Sequence, residues 1–190
     1  MKKLTVLLSL IATLTILGGC AGAKGNTKPE KISSIHRMRN TDLAELYKIA
    51  PSARQHIGNA YGYAIFDNTG INLFLISTGQ GYGVAHNNRT GKDTYMKMFS
   101  AGVGVGVGIK DFRGIFVFQN KGVFDQFVNT GWSAGGQADA AAKIDKKAGG
   151  AIALAIDVAP GIQLYQITKN GLAAQATIQG TKYWKDKELN

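Results

Sequence analysis

The sequence predicts an α+β domain in which one or two short helices precede an antiparallel meander of strands. Three observations carry that reading. Between Thr41 and Ile57, apolar residues recur at helical spacing. After Gly58 the chain breaks into short β-branched and aromatic runs. Asn, Asp and Gly separate those runs in stretches too short for crossover helices, which makes neighbouring strands antiparallel.

The helical region is N-T-D-L-A-E-L-Y-K-I-A-P-S-A-R-Q-H-I-G-N-A. Thr41 is placed to cap, Asp42 favours the first turn, and Leu43, Leu46, Tyr47 and Ala50 share one face. Pro51 ends the helix, and a second one is expected from Ser52 to Ile57, stopped by Gly58. Strands follow at 61–67, 72–78, 81–87, 93–99, 100–110 and 113–120. D-N-T-G, N-N-R-T-G-K-D and K-D-F-R-G are the expected turns between them. From Lys121 the spacing turns helical again, with Val123, Phe124, Phe127 and Val128 on one side. Residues 131–150 fit either helix or closely packed strand. Strands resume over 150–157, 161–168 and 171–180, with T-K-N-G as a hairpin turn.

Within S-A-G-V-G-V-G-V-G-I-K, glycines at 102, 104, 106 and 108 alternate with Val103, Val105, Val107 and Ile109. Read as one strand, this leaves one face without side chains. Glycine weakens a strand interior, so close approach of another backbone, strong sheet coiling or a slot for an acyl chain must offset it. The ladder is no nucleotide loop, because its spacing stays at two. T-G-K-D at 90–93 also departs from a P-loop: Asp93 replaces the Ser/Thr, and His86 stands where the first glycine belongs.

The amino-terminal 20 residues, M-K-K-L-T-V-L-L-S-L-I-A-T-L-T-I-L-G-G-C, have the charged start, apolar run and small-residue end of a secretory leader. L-G-G-C resembles the bacterial lipobox. That resemblance implies cleavage after residue 19, with diacylglycerol and an acyl chain such as palmitate on Cys20. Cys20 is the single cysteine, so it has no disulfide partner within the chain. Ala21 in place of Asp implies sorting to the outer membrane, facing the periplasm. Residues 20–34 read as an acylated flexible tether and 35–190 as one domain. Removal of 1–19 from 190 residues leaves 171, enough for one core. It also lowers 22 basic residues to 20 against 12 acidic ones, a net charge of about +8. A basic excess suits anionic lipid head groups, and export argues against nucleic acid.

His36, His56 and His86 lack metal-ligand spacing, and no G-x-S-x-G elbow occurs. No metal, cofactor or catalytic group is therefore expected. Asp139 and Asp145 are the pair that a hydrolase of envelope polymers would need to bring together.

The segments A-Y-G-Y-A-I-F-D, G-Q-G-Y-G-V, the glycine ladder and G-I-F-V-F-Q-N-K-G-V-F-D-Q-F resemble SYLF-domain proteins, in that family's order. G-W-S-A-G-G-Q-A-D-A-A-A and G-I-Q-L-Y-Q-I-T-K-N-G-L-A-A-Q-A-T-I-Q-G-T-K-Y continue the likeness. Thr168, Ala173 and Ala174 replace more typical residues there. The resemblance covers about 43–190 and implies a strongly curved, barrel-like antiparallel sheet flanked by a few helices. It also implies a non-catalytic lipid-binding module. The expected contacts to anionic phospholipid are Lys97, Lys110, Arg113 and Lys121, with Lys143, Lys146 and Lys147 as a second cluster. The rival expectation is an envelope structural protein that holds a protein partner at the membrane.

Overall fold

The computed structural model describes residues 22–73, 76–103, 108–134, 155–168, 171–172 and 180–190. The described helices are α1 (Lys28–Ile49), α2 (Ala53–Asn59) and α3 (Lys121–Thr130). The strands are β1 (Gly62–Leu73), β2 (Ile76–Asn87), β3 (Asp93–Val103), β4 (Gly108–Phe118), β5 (Trp132–Ala134), β6 (Ile156–Ala159), β7 (Ile162–Thr168), β8 (Gly171–Leu172) and β9 (Gly180–Lys185). The fold is α+β, with one strongly curved antiparallel sheet curled into a half-barrel.

α1 begins inside the segment expected to be a tether. Thr27 accepts from the Glu30 backbone and the Glu30 side chain returns to the Thr27 N–H, a capping box reinforced by Pro29 in the first turn. Burial of Ser34 and Ile35 then holds residues 28–34 on the domain. Thr41, expected as a cap, therefore sits mid-helix. Pro51 does end the helix, and α2 runs through Gly58 to Asn59.

Two expected turns are strand interior. D-N-T-G lies within β1, paired residue by residue with β2, and K-D-F-R-G lies within β4. Pairing on both sides satisfies these backbone groups, which outweighs local turn preference. N-N-R-T-G-K-D does turn, with Gly91 at φ 70° and Asn87 Oδ1 accepting from the Arg89 and Thr90 N–H groups. The strands flanking T-K-N-G pair as expected, Thr168 with Gly171, while Lys169 and Asn170 lie outside the described residues.

The sheet order β5-β9-β3-β2-β1-β4-β7-β6, with β8 on β7, corrects the simple meander. β1, β2 and β3 are consecutive neighbours, but β4 returns beside β1, which is a Greek key. The glycine ladder is thus divided between the end of β3 and the start of β4, and residues 104–107 lie outside the described ones.

Alternation along each strand builds two faces. Ala64, Phe66, Met96, Met98, Phe116, Phe118, Leu164 and Tyr183 join Phe124, Phe127 and Val128 of α3. Phe66 and Tyr183 rings meet at 4.7 Å and Phe118 and Phe127 at 4.8 Å. On the opposite face, Ile65, Ile115, Val117, Tyr165 and Ile167 pack under Leu46, Ala50, Ala53 and Ile57 of α1 and α2. A third cluster joins Ile35, Val84 and Leu189. All three clusters draw on residues from Ala23 onward, so a chain starting at residue 21 keeps every described core contact.

The sheet does contain an ordered glycine series, in β2. A Cβ on Gly83 would collide with the Ile65 carbonyl, and one on Gly81 with the Asp67 carbonyl. These glycines lie on the α3 face, beside Phe66 and Asn68 in register. Their missing side chains let adjacent strands crowd on that face and coil the sheet.

Candidate functional site

α1 and α2 cover the outer face over β1, β4 and β7, and α1 continues over Val84 of β2 and Tyr95 of β3; beyond these, β2, β3 and β9 line a groove. The strand register lines up two rows across that face. Tyr82, Lys97 and Trp184 form one, and Gln80, Phe99 and Lys182 form the other. Phe99 is 39% exposed, as is Ile49, and among the described residues these two large apolar side chains stand out from the general burial. Tyr82 and Trp184 are half-buried and Lys182 is exposed.

Residues 22–26 and Lys31 form one wall of the groove; Asp186, Glu188 and Leu189 form the other. The groove is open to solvent on one side and has a volume of about 680 Å3. Both walls are anchored. Ala23 packs on the third core cluster, and Leu189 is buried within it. Asn190 Nδ2 donates to the Tyr95 carbonyl at 2.8 Å, fixing the tail along β3.

Charges on the walls are interleaved. Lys97 Nζ is 3.2 Å from Asp186 Oδ1 and 4.0 Å from Glu188. Lys31 Nζ meets Glu188 at 2.8 Å. The hydrogen bond and charge of Lys31 hold the Glu188 carboxyl below its ordinary value. Asp186 is buried and also accepts from the Glu188 N–H at 2.9 Å. Burial raises the Tyr82 hydroxyl, so that row carries no tyrosinate at neutral pH. The groove therefore offers an aromatic floor with both signs of charge on its rim.

Two further clusters bind α1 to the sheet. Asp93 receives Arg39 Nη1 at 2.9 Å and 3.1 Å, His86 Nδ1 at 2.6 Å and His36 Nε2 at 3.2 Å. Burial alone would raise Asp93, but the His86 hydrogen bond and the Arg39 charge outweigh it and hold the carboxyl low. Arg113 of β4 pairs with Glu45 through both nitrogens and with Asp42 at 3.4 Å. Burial pushes Asp42 up to about 6 against the pull of Arg113.

The expected lipid contacts separate accordingly. Lys97 faces the groove. Arg113 lies mid-strand and is committed to Glu45 and Asp42, so its role is to join helix and sheet rather than to meet solvent anions. Lys121 is exposed at the start of α3 and pairs with Asp125. Lys110 is in β4, paired with Gly70. Cys20, Lys143, Lys146, Lys147, Asp139 and Asp145 lie outside the described residues. Sequence reasoning missed Trp184, Phe99 and Lys182. The alternation Thr181, Lys182, Tyr183, Trp184 was the available signal for β9.

Among the described residues no group of three His, Cys, Asp or Glu side chains is placed to hold a metal ion. No described helix is long and apolar enough to cross a membrane.

Fold and groove together define a curved-sheet α+β protein with an amphipathic outer cleft. No family model matches the chain. It is 40% identical over 163 residues, 86% of its length, to the protein named Beta cell expansion factor A from Aeromonas veronii. The chain spans 60% of that relative's length.

Proposed function

We propose that this chain is a SYLF-class lipid-binding module that works without catalysis as a bacterial envelope lipoprotein. Cys20 carries the anchor, and the folded domain contacts anionic phospholipid. The observation that supports this best is the pair of cross-strand rows that floor the groove, with Phe99 exposed in one of them. Phe99 and Trp184 there can enter the head-group region, where amphipathic rings favour the interface. Lys182 and Lys24 stand beside them, each worth about 1 kcal/mol near an anionic surface. The net charge of about +8 left after removal of residues 1–19 adds long-range attraction. The match to a bacterial protein is in keeping with the lipobox-like leader.

Vesicle sedimentation tests the reading. Residues 21–190 are mixed with vesicles of phosphatidylcholine, alone or with phosphatidylglycerol or cardiolipin, at low and moderate salt. Sedimentation with the anionic vesicles only, weakened by salt and by a double Lys24→Glu, Lys182→Glu variant, is the expected result. Absence from every vesicle pellet would leave Cys20 as the sole membrane contact and direct attention to a protein partner.

A further inference from the structure

The run before α1 is built into the domain. Residues 22–26 line the groove beside its aromatic floor. Ala23 packs on the third core cluster. Asn26 N–H donates to Glu30 Oε2 at 2.8 Å, the same side chain that closes the capping box. Gly25, at φ 133°, lies so close to the first turn of α1 that a Cβ there would meet Glu30 Cβ at 2.6 Å. Lys28 Nζ reaches the Asn190 backbone oxygen at 3.4 Å, tying the start of α1 to the tail that forms the opposite wall. Cys20 precedes Gly22 by two residues, which span at most about 7 Å when fully extended.

We infer that the groove and the Cys20 anchor form one membrane-contact surface, so that the domain meets the leaflet holding its own anchor and does not bridge to a second membrane. This rests on the lipoprotein and lipid-binding reading above and adds an orientation to it. A spacer of about 7 Å is comparable with one head-group layer, roughly 5–8 Å on each side of the hydrocarbon core. A domain held that closely meets the bilayer with the face from which the anchor leaves. That face carries Phe99, 39% exposed, together with the exposed Lys24 and Lys182. Contact with lipid accounts for an exposed aromatic ring on an otherwise well-buried sheet. A short link also sets an effective concentration in the mM range, so the anchoring leaflet outcompetes any other surface.

The test couples Cys20 of residues 20–190, the single cysteine, to a maleimide phospholipid in phosphatidylcholine–phosphatidylglycerol vesicles. The maleimide lipid stands in for the diacylglycerol. Trp132→Phe leaves Trp184 as the reporter. Brominated acyl chains are placed either in the anchoring vesicles or in a second anionic population that lacks the maleimide lipid. Uncoupled residues 21–190 with the same substitution show that the second population can be reached. The expected result is quenching of the coupled chain by its own vesicle, loss of quenching when only the second population is brominated, and no vesicle clustering by light scattering. Phe99→Asp, on an exposed side chain, should remove most of the quenching while coupling stays complete. Quenching by the second population, vesicle clustering, or quenching unchanged in Phe99→Asp overturns the inference. Quenching of the uncoupled chain without quenching of the coupled chain by its own vesicle overturns it too, while the lipid-binding reading stands. No quenching of either chain overturns both.

Discussion

Lys97 Nζ reaches Asp186 Oδ1 at 3.2 Å across the β3–β9 border, pairing an accessible cation with a buried carboxylate. The contact ties the carboxy-terminal tail to the sheet and closes one end of the groove. Asp186 accepts a backbone N–H as well, so it stays partly satisfied without Lys97. Lys97→Met is therefore expected to cost roughly 1 kcal/mol, the upper end for an ion pair whose cation is solvent-exposed. Urea unfolding measures it, and an unchanged midpoint would contradict the role given to this pair.

Gly83 and Gly91 should respond differently to alanine. A Cβ at Gly83 meets the Ile65 carbonyl and the Phe66 ring, and neither can retreat from a paired strand. Gly83→Ala should lose about 3 kcal/mol or fail to fold. At Gly91 the surroundings are open, and only φ 70° opposes a side chain. Gly91→Ala should lose about 1 kcal/mol. Thermal melts of the two variants give the comparison, and equal losses would rule out strand crowding as the reason for Gly83.

Much of this fold was legible in the sequence, and the failures have physical causes. The apolar spacing at Phe124, Phe127 and Val128 located α3, and Asn and Gly located the 88–92 turn. Local turn chemistry failed at D-N-T-G because β1 has partners on both sides, and long-range pairing is invisible in a local window. The Greek key was missed for the same reason: nothing local says that β4 returns to β1. The helix start was readable in T-K-P-E, but a lysine-rich flank suggested a tether. For the site, net charge pointed to lysines in general. It could not separate Lys97, which faces the groove, from Arg113, which is committed to Glu45.

Asp42 and Asp93 should shape acid stability in opposite senses. Asp42 in the folded chain lies at about 6, above its ordinary 3.8. The folded state then holds the extra proton between those values. Its contribution is greatest below pH 4 and is lost as pH rises through 6. Asp42→Asn should flatten that slope and raise stability at pH 7 by on the order of 2 kcal/mol. A variant less stable than the parent at pH 7 would contradict it.

Asp93 is held below its ordinary value. Its contribution is complete above pH 4 and disappears as pH falls through the lowered folded value. Asp93→Asn should lose stability at pH 7 and converge with the parent chain in strong acid. Urea midpoints from pH 2 to pH 7 check both residues, and parallel curves for Asp93→Asn and parent would exclude the Arg39–Asp93 clasp as a source of acid sensitivity.

The central claim is that the outer face of β2, β3 and β9 meets lipid. Quenching of tryptophan by brominated acyl chains in anionic vesicles tests it directly, because the chain has two tryptophans on different faces. Trp184 borders the groove, while Trp132 packs in the aromatic cluster of the α3 face. Trp132→Phe leaves Trp184 as the reporter, and Trp184→Phe leaves Trp132. The account expects strong quenching of Trp184 and little of Trp132. Quenching of Trp132 with Trp184 unaffected would place the membrane contact elsewhere and contradict the account.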